Sequence, residues 1–266
     1  MKAVNCIRYK QMLTVRDKLI LTGLFLSKFD IEGLEILGFK GFMEAYNTIA
    51  ISIGARPASI KNYRDEFDPY FPNKRNGWHK RTLRPYCRVF FEKYGDYDIE
   101  TFSNLIKTEI SVSGDIELLK ENVDSSENNS FAKRMITGQA AERYFEKIYP
   151  SLSAFSGYNL INTTTMGCGF DYKVNRPPDP FFAVEVKGIN APVGLIQFTS
   201  KEYKMAQMLE DRFFLFVVRN FVEMPAHTLV QHPIESGLIF ERHESTSVQV
   251  CWSTCLGKEC IEKYNA

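Results

Sequence analysis

The residues Asp171, Glu185 and Lys187 have types and a spacing that could bind a divalent cation. Side chains alternate between the two faces of a strand, so Glu185 and Lys187, two residues apart in the stretch FFAVEVKG, share one face. Asp171, in the stretch GFDYKV, is predicted on the preceding strand, where a hairpin would bring it beside Glu185. Two adjacent carboxylates repel each other unless a cation lies between them. Because Mg²⁺ takes one or two carboxylates and keeps several waters, this pair predicts a Mg²⁺ site.

A Mg²⁺ ion at this position indicates hydrolysis of a phosphodiester bond. Bound Mg²⁺ polarises a phosphate oxygen and lowers the pKa of a bound water. Lys187 would then lie close to the attacking water or to the negative charge that develops around the phosphorus atom. Phe182, Val184 and Val186 point to the opposite face of the same strand, where they are predicted to enter a core.

The elements that must position these residues alternate between helix and strand. Residues 131–149 have helical periodicity, and residues 199–211 form a second predicted helix. Apolar runs bounded by turn residues predict strands at 158–164, 170–174, 181–187 and 213–219. The predicted order is therefore α-β-β-β-α-β, and further β-rich sequence follows it.

This arrangement resembles the PD-(D/E)XK nuclease superfamily, which includes many restriction endonucleases. In that superfamily an acidic residue on one strand is followed by (D/E)-x-K on the next. Asp171 matches the first element and Glu185-Val186-Lys187 matches the second, although Phe170 stands where the motif has proline. The resemblance implies catalytic roles for Asp171, Glu185 and Lys187, and a mixed sheet of the restriction-endonuclease type.

The resemblance also implies further site residues. The preceding helix of the superfamily often carries another acidic residue, and Glu142 in TGQAAERYFEKIYP fits because it borders the apolar face of its helix. The backbone carbonyl of Val186 is expected to join Asp171 and Glu185 as a Mg²⁺ ligand. Between about residues 131 and 220 the chain is also similar to the C-terminal domain type of protein NO VEIN, through the runs GFDYKV, EVKG, FTSKEYKMA and FFLFVVRNF.

Residues after the E-x-K strand have both functional and structural interpretations. Gln197 could orient water or DNA, or it could be an ordinary loop amide. Lys201 could contact a phosphate, or it could be a solvated helix lysine. Thr199 and Glu202 form a T-x-x-E capping box, which we interpret as structural.

The first part of the chain, about residues 1–110, is predicted to be helical with helix-turn-helix character. Apolar residues recur at helical spacing over 42–53, Gly54 interrupts them, and a second helix is predicted over 59–67. In a helix-turn-helix the second helix enters the major groove, where Arg and Asn read base edges. The predicted base-contacting residues are Lys61, Asn62 and Arg64.

Basic residues follow this helix in a loop and along a third predicted helix over 83–94. Such residues suit backbone phosphates, which position a protein without reading sequence. The predicted phosphate contacts are Lys74, Arg75, Lys80, Arg81, Arg84 and Arg88. The alternative is a helical accessory domain whose arginines pair with the nearby Asp65, Glu66, Asp68 and Glu92.

Composition and charge are those of an ordinary globular protein. The chain has 266 residues, of which 44% are hydrophobic, so it can build a sizeable core. Residues 1–110 contain 18 Lys and Arg against 13 Asp and Glu, a net charge of +5. The remaining residues contain 15 Lys and Arg against 19 Asp and Glu, a net charge of −4. A basic first part and an acidic second part suit a DNA-reading part joined to a catalytic, metal-binding part.

The chain is expected to have two domains, no membrane span and a cytoplasmic location. Residues 111–130 are rich in Ser, Asn and acidic residues, which predicts a linker between domains at 1–110 and 131–266. The longest apolar runs are strand-sized, and residues 1–10 lack the apolar stretch of a signal peptide.

The six cysteines should be reduced in such a location. Three of them, Cys251, Cys255 and Cys260, cluster near His243. Their spacing does not match CxxC knuckles, so we predict plain thiols, with a structural zinc site as the alternative.

Together these features predict an α+β or α/β protein that cuts duplex DNA. It would be a Mg²⁺-dependent endonuclease of the PD-(D/E)XK type, similar to type II enzymes, from a restriction or phage-defence setting. By analogy with the superfamily, a homodimer is expected for cleavage of both strands. One alternative is a DNA-binding regulator with an inactive nuclease-like fold, and a second is a nuclease directed at RNA.

Overall fold

The computed structural model describes residues 13–110, 125–244 and 252–255. Its first part contains five α-helices: α1 (Val15–Ile36), α2 (Phe42–Ser52), α3 (Pro57–Phe67), α4 (Pro85–Tyr94) and α5 (Ile99–Ile110). The helices predicted over 42–53, 59–67 and 83–94 are confirmed as α2, α3 and α4. The last two begin at a proline, because proline at the first helical position gives up no intrahelical hydrogen bond.

Helix α1 is the centre of the helical part. Its residues 19–27 are all buried, because α3, α4 and α5 pack against it. A helix without a polar face is stable in water only when neighbours cover it. Neither α1 nor any other helix in the described part of the chain is long and apolar enough to cross a membrane.

Helices α2 and α3 form the predicted helix, turn and helix outline. The turn between them includes Gly54, whose φ of +76° is accessible to glycine at little cost. Helix α3 buries Ile60 and Arg64, whereas Lys61 and Asn62 are exposed. One of the three predicted base-contacting residues therefore faces inward.

The second part is a five-stranded sheet with α6 (Ser125–Ile148) and α7 (Ser200–Leu209). The strands are β1 (Asn159–Asn162), β2 (Tyr172–Asn175), β3 (Phe182–Gly188), β4 (Phe213–Arg219) and β5 (Ala226–Gln231). Their order in the sheet is β1-β2-β3-β4-β5. Strands β3 and β4 are parallel, and the other neighbours are antiparallel. The predicted α-β-β-β-α-β order and the mixed sheet are confirmed, and β5 is the expected further strand.

The predicted linker needs a correction at its second end. Residues 111–124 lie outside the described residues, but residues 125–130 form the beginning of α6. Their Ser- and Asn-rich composition suggested a loop. The same residue types are also preferred at helix N-termini, where their side chains can satisfy free backbone N–H groups.

Strand β3 has a core on each of its faces. Val184 and Val186 belong to the core beneath α6, as predicted from the alternation of the strand. Ala183 belongs to the core beneath α7. Because both faces are covered, a polar side chain on β3 is shielded from water.

The helical part and the sheet part contact each other directly. Asn47 of α2 donates hydrogen bonds of 2.8 Å to the carbonyl oxygens of Phe221 and Glu223. Lys133 of α6 forms an ion pair with the buried Glu44 of α2. Because buried polar groups are costly without partners, these contacts hold α2 in one arrangement against α6 and against the connection between β4 and β5.

We expect Gly188→Ala to lower the free energy of unfolding by about 1–3 kcal/mol. A Cβ atom on Gly188, the last residue of β3, would lie 2.9 Å from the carbonyl oxygen of Thr137 and 3.2 Å from Cβ of Ala141. The backbone of α6 would have to move away from the sheet. Urea denaturation measures the change.

Gly138→Ala is the matched control, because Gly138 lies on α6, the helix that a Cβ atom on Gly188 would meet. A Cβ atom there meets nothing within 4 Å, so the substitution should be neutral or raise helix stability by up to about 1 kcal/mol. Equal stability of the two variants would contradict the close approach of α6 to β3.

Candidate active site

Asp171 is held at the end of the β2–β3 hairpin, immediately before β2. Its backbone N–H donates to the carbonyl oxygen of Val184 over 3.1 Å. The N–H of Val186 donates to its carboxylate oxygen Oδ2 over 2.9 Å. These two bonds fix the carboxylate against the strand that carries Glu185, as the hairpin prediction requires.

Glu185 and Lys187 lie on the same face of β3, and their side chains are in contact. The ammonium Nζ of Lys187 is 2.6 Å from Oε1 of Glu185. It is also 2.8 Å from Oε2 of Glu202, at the beginning of α7. Glu185 is only 3% exposed, so the ion pair is shielded from water.

Burial and mutual repulsion raise the pKa of the site carboxylates. Burial, then the negative charge of Asp171, raise the pKa of Glu185 to about 8, although Lys187 opposes this shift. Burial also raises the pKa of Asp171, against the hydrogen bond from Val186. Each carboxylate is therefore costly to ionise unless a cation approaches it.

Glu142 belongs to the same electrostatic cluster. It is half-buried on α6, and burial together with the charge of Asp171 raises its pKa to about 7. The close approach of α6 to the end of β3 thus places a third carboxylate within electrostatic reach of Asp171. The structure therefore groups Asp171, Glu185, Lys187 and Glu142, as predicted.

Lys187 remains a cation in this environment. Burial alone would lower its pKa, but attraction to Glu185 and hydrogen bonds to Glu185 and Glu202 outweigh burial and raise it. Lys187 is therefore a charged hydrogen-bond donor rather than a proton acceptor.

The donor set fits a hard cation with few protein ligands. Among the described residues no group of three or more His, Cys, Asp and Glu side chains is arranged to hold a metal ion. Mg²⁺ needs only one or two carboxylates, because it retains water ligands. Asp171 and Glu185 supply such a pair, and their raised pKa values indicate that a nearby cation would be stabilising.

Glu202 has a role at this site that sequence reasoning missed. The T-x-x-E capping box predicted from the sequence is present, since Thr199 Oγ1 accepts from the N–H of Glu202 over 3.2 Å. The contact from Glu202 to Lys187 is additional. The sequence offers a weak signal for this contact. The helix that follows β3 begins near the carboxyl end of that strand, so a residue in its first turn can lie near Lys187.

Arg64 corrects the predicted set of base-contacting residues. It is 8% exposed, and its guanidinium is 2.8 Å from a carboxylate oxygen of Asp65 and 3.7 Å from one of Asp68. The guanidinium also lies 4.7 Å from the centre of the Phe42 ring. A buried, paired guanidinium cannot reach a base edge, so of the three predicted base-contacting residues only Lys61 and Asn62 are exposed.

Several arginines predicted to contact phosphates form internal ion pairs instead. Arg75 donates to the buried Asp68 over 2.9 and 3.0 Å. The guanidinium and the backbone N–H of Arg84 donate to the buried Glu66, and Arg81 donates to the same carboxylate over 3.2 Å. These contacts agree with the alternative of internal pairing for Arg75 and Arg84, whereas Arg81 is still half-exposed.

The remaining predicted DNA contacts differ in exposure. Lys74, Lys80 and Arg88 are exposed on the helical part, and Gln197 is exposed after β3. Lys201 is also exposed but donates to the carbonyl oxygen of Gly167, in the loop between β1 and β2. Lys201 therefore has a structural partner.

The predicted zinc alternative at the C-terminus gains no support from the described residues. Cys255 and His243 are exposed, and Cys255 is a free thiol. Cys251 and Cys260 lie outside the described residues.

Comparison with known proteins supports the resemblance to the C-terminal domain of protein NO VEIN. Residues 141–230, about a third of the chain, match the family model described as Protein NO VEIN, C-terminal. Searches of curated proteins and of solved structures return no match. The matched segment begins in α6 and ends in β5, so it contains all four predicted catalytic residues together with Glu202.

We expect Glu185→Gln to gain stability relative to the unchanged protein as pH rises from about 5 to about 8 in metal-free buffer. The pKa of Glu185 is raised from 4.5 to about 8 by folding. The protonated side chain therefore contributes its full stability below pH 4.5, and this contribution is lost as pH rises towards about 8. Glutamine does not titrate and avoids this loss. Thermal melting across this range measures the difference.

Glu32→Gln is the control, because it exchanges an exposed carboxylate of α1. Its melting temperature should follow that of the unchanged protein at every pH. A difference between Glu185→Gln and the unchanged protein that does not grow with pH would contradict the raised pKa of Glu185.

Proposed function

We propose that this chain is a Mg²⁺-dependent endonuclease that hydrolyses phosphodiester bonds in duplex DNA. The observation that carries the proposal is the cluster at the end of β3. It combines two adjacent carboxylates with raised pKa values, Asp171 and Glu185, with a half-buried ammonium, Lys187. Strongly shifted pKa values at a cluster of this kind are typical of functional sites. The match to the NO VEIN C-terminal family over the same residues supports a nuclease-like role.

The proposed roles follow from the position of each residue. Asp171 and Glu185 would hold Mg²⁺, together with the backbone carbonyl of Val186. Bound Mg²⁺ would supply charge stabilisation at the scissile phosphate and a more acidic water. Lys187, as a cation, would donate a hydrogen bond to the attacking water or to the developing phosphate charge. Glu142 would support the site through its charge near Asp171.

The helical part is proposed to bind the DNA. Its exposed cations Lys74, Lys80 and Arg88 would contact backbone phosphates, which provide affinity without sequence information. Lys61 and Asn62, exposed on α3, would reach base edges, and Gln197 would face the DNA beside the catalytic strand. A homodimer from a restriction or phage-defence setting would place two such sites on opposite strands.

The first test is cleavage of unmethylated and methylated plasmid and phage DNA with Mg²⁺. We expect cutting by the unchanged protein and none in EDTA. Glu185→Ala and Lys187→Ala should each lose on the order of 100-fold or more, because the first removes a proposed Mg²⁺ ligand and the second removes the proposed hydrogen-bond donor to the reacting groups. Glu32→Gln, on the surface of α1, should cut at the normal rate.

Calorimetric Mg²⁺ or Mn²⁺ binding, compared with Asp171→Ala, separates the alternatives. Folded protein that binds DNA but neither cuts it nor binds these ions would favour a regulator with an inactive fold. Cleavage of RNA in preference to duplex DNA would instead identify an RNA-directed nuclease.

DNA affinity should depend on the exposed cations rather than on the paired ones. In the Glu185→Ala background, which prevents cutting, we expect Lys80→Ala and Arg88→Ala each to weaken binding and to reduce the slope of log affinity against log salt by about 1. Fluorescence anisotropy at several salt concentrations measures both quantities.

Arg75→Ala provides the contrast in the same background. Since Arg75 bonds to the buried Asp68, its loss should lower the free energy of unfolding by about 1–3 kcal/mol and leave the salt slope unchanged. A slope that falls for Arg75→Ala, but not for Lys80→Ala or Arg88→Ala, would overturn this assignment.

A further inference from the structure

Lys187 is placed between two carboxylates that belong to different elements. Its Nζ lies 2.6 Å from Glu185 on the same strand and 2.8 Å from Glu202 on α7. Glu185 is also one of the two carboxylates proposed to bind Mg²⁺. An ammonium and a divalent ion would therefore compete for the oxygens of Glu185, whereas Glu202 is not one of the proposed metal ligands.

The carboxylate of Glu202 is itself fixed by the end of a helix. Its Oε2 accepts from the backbone N–H of Thr199 over 3.0 Å, and Thr199 Oγ1 accepts in return from the N–H of Glu202. This reciprocal capping box restrains both the side chain and the first turn of α7. The same oxygen, Oε2, accepts from Lys187. Lys187 thus has a second anionic partner whose position does not depend on Glu185.

We propose that Glu202 is a positioning residue that holds the ammonium of Lys187 at the reaction centre when Glu185 is committed to a divalent cation. A lysine side chain is flexible because its four-carbon chain rotates freely. If Glu185 were its sole partner, Lys187 would lose its fixed direction once Glu185 bound the cation. Glu202 fixes the direction of the Lys187 ammonium and is not itself a proposed metal ligand. This role in cleavage rests on the proposed nuclease function, but the contact itself does not.

The test uses two variants that separate the cap from the charge. Glu202→Gln keeps a side-chain oxygen that can accept from Thr199 but removes the negative charge facing Lys187. Thr199→Ala removes the hydroxyl of the cap and leaves the carboxylate of Glu202 in place. If Glu202 were only a helix cap, Thr199→Ala would be the more damaging of the two for both stability and cleavage.

With saturating Mg²⁺ and DNA, we expect Glu202→Gln to lower the single-turnover cleavage rate by about 10- to 100-fold, the usual effect of losing a residue that orients a catalytic group. Its affinities for DNA and for Mn²⁺ should stay within about twofold of normal, because Glu202 binds neither. Thr199→Ala should lower the melting temperature at least as much as Glu202→Gln does. It should lower the cleavage rate less than Glu202→Gln does.

A second measurement is independent of activity. Side-chain ¹³C relaxation in the metal-free, full-length protein reports the mobility of the lysine Cε groups, with Lys187→Met identifying the signal of Lys187. All variants carry Glu185→Gln, which removes the charged partner on β3 as binding of a cation to Glu185 would. We expect a restrained Lys187 in Glu185→Gln alone and when Thr199→Ala is added. When Glu202→Gln is added instead, the order parameter of Lys187 should fall towards that of an exposed lysine such as Lys74.

The outcomes separate this inference from the proposed function. An order parameter for Lys187 that does not change when Glu202→Gln is added to Glu185→Gln overturns the positioning role, whether or not the protein cuts DNA. A normal cleavage rate for Glu202→Gln in an active enzyme overturns its importance for the reaction. If the unchanged protein cuts no nucleic acid but Lys187 becomes mobile when Glu202→Gln is added to Glu185→Gln, the nuclease proposal fails and the positioning contact stands.

Discussion

The carboxylate of Glu185 is buried in the middle of the sheet, and the residues around it are arranged to accommodate its charge. Helices α6 and α7 cover the two faces of β3, so water cannot solvate the carboxylate well. Asp171, immediately before β2, and Glu142 on α6 add negative charge, and Lys187 supplies a positive charge. Burying so many ionisable groups opposes folding. Such a cluster is typical of a site whose chemistry requires it.

A second set of buried carboxylates determines the surface of the helical part. Glu66 and Asp68 lie where α3 ends, and they accept hydrogen bonds from Arg75, Arg81 and Arg84. These arginines shape the loop between α3 and α4 instead of facing solvent with a full positive charge. The positive surface of this part is therefore smaller than its number of Lys and Arg residues suggests.

The features that the sequence predicted well depend on local geometry. The period of two along β3 placed Glu185 and Lys187 on one face, because alternation is a property of any strand. A short connection brought Asp171 beside them, since strands joined by a hairpin pair as neighbours. Helices α2, α3 and α4 likewise followed from the spacing of apolar residues. No distant part of the chain was needed for any of these predictions.

By itself, therefore, the sequence determined the order of the elements and the grouping of Asp171, Glu185 and Lys187. The tertiary structure alone decided that Arg64 faces inward, that α6 approaches β3 closely enough to require Gly188, and that Glu202 contacts Lys187. Each of these depends on the angle and depth at which one element packs on another. Periodicity shows which face of a helix is apolar. The residues that this face meets depend on the packing of elements that are distant along the chain.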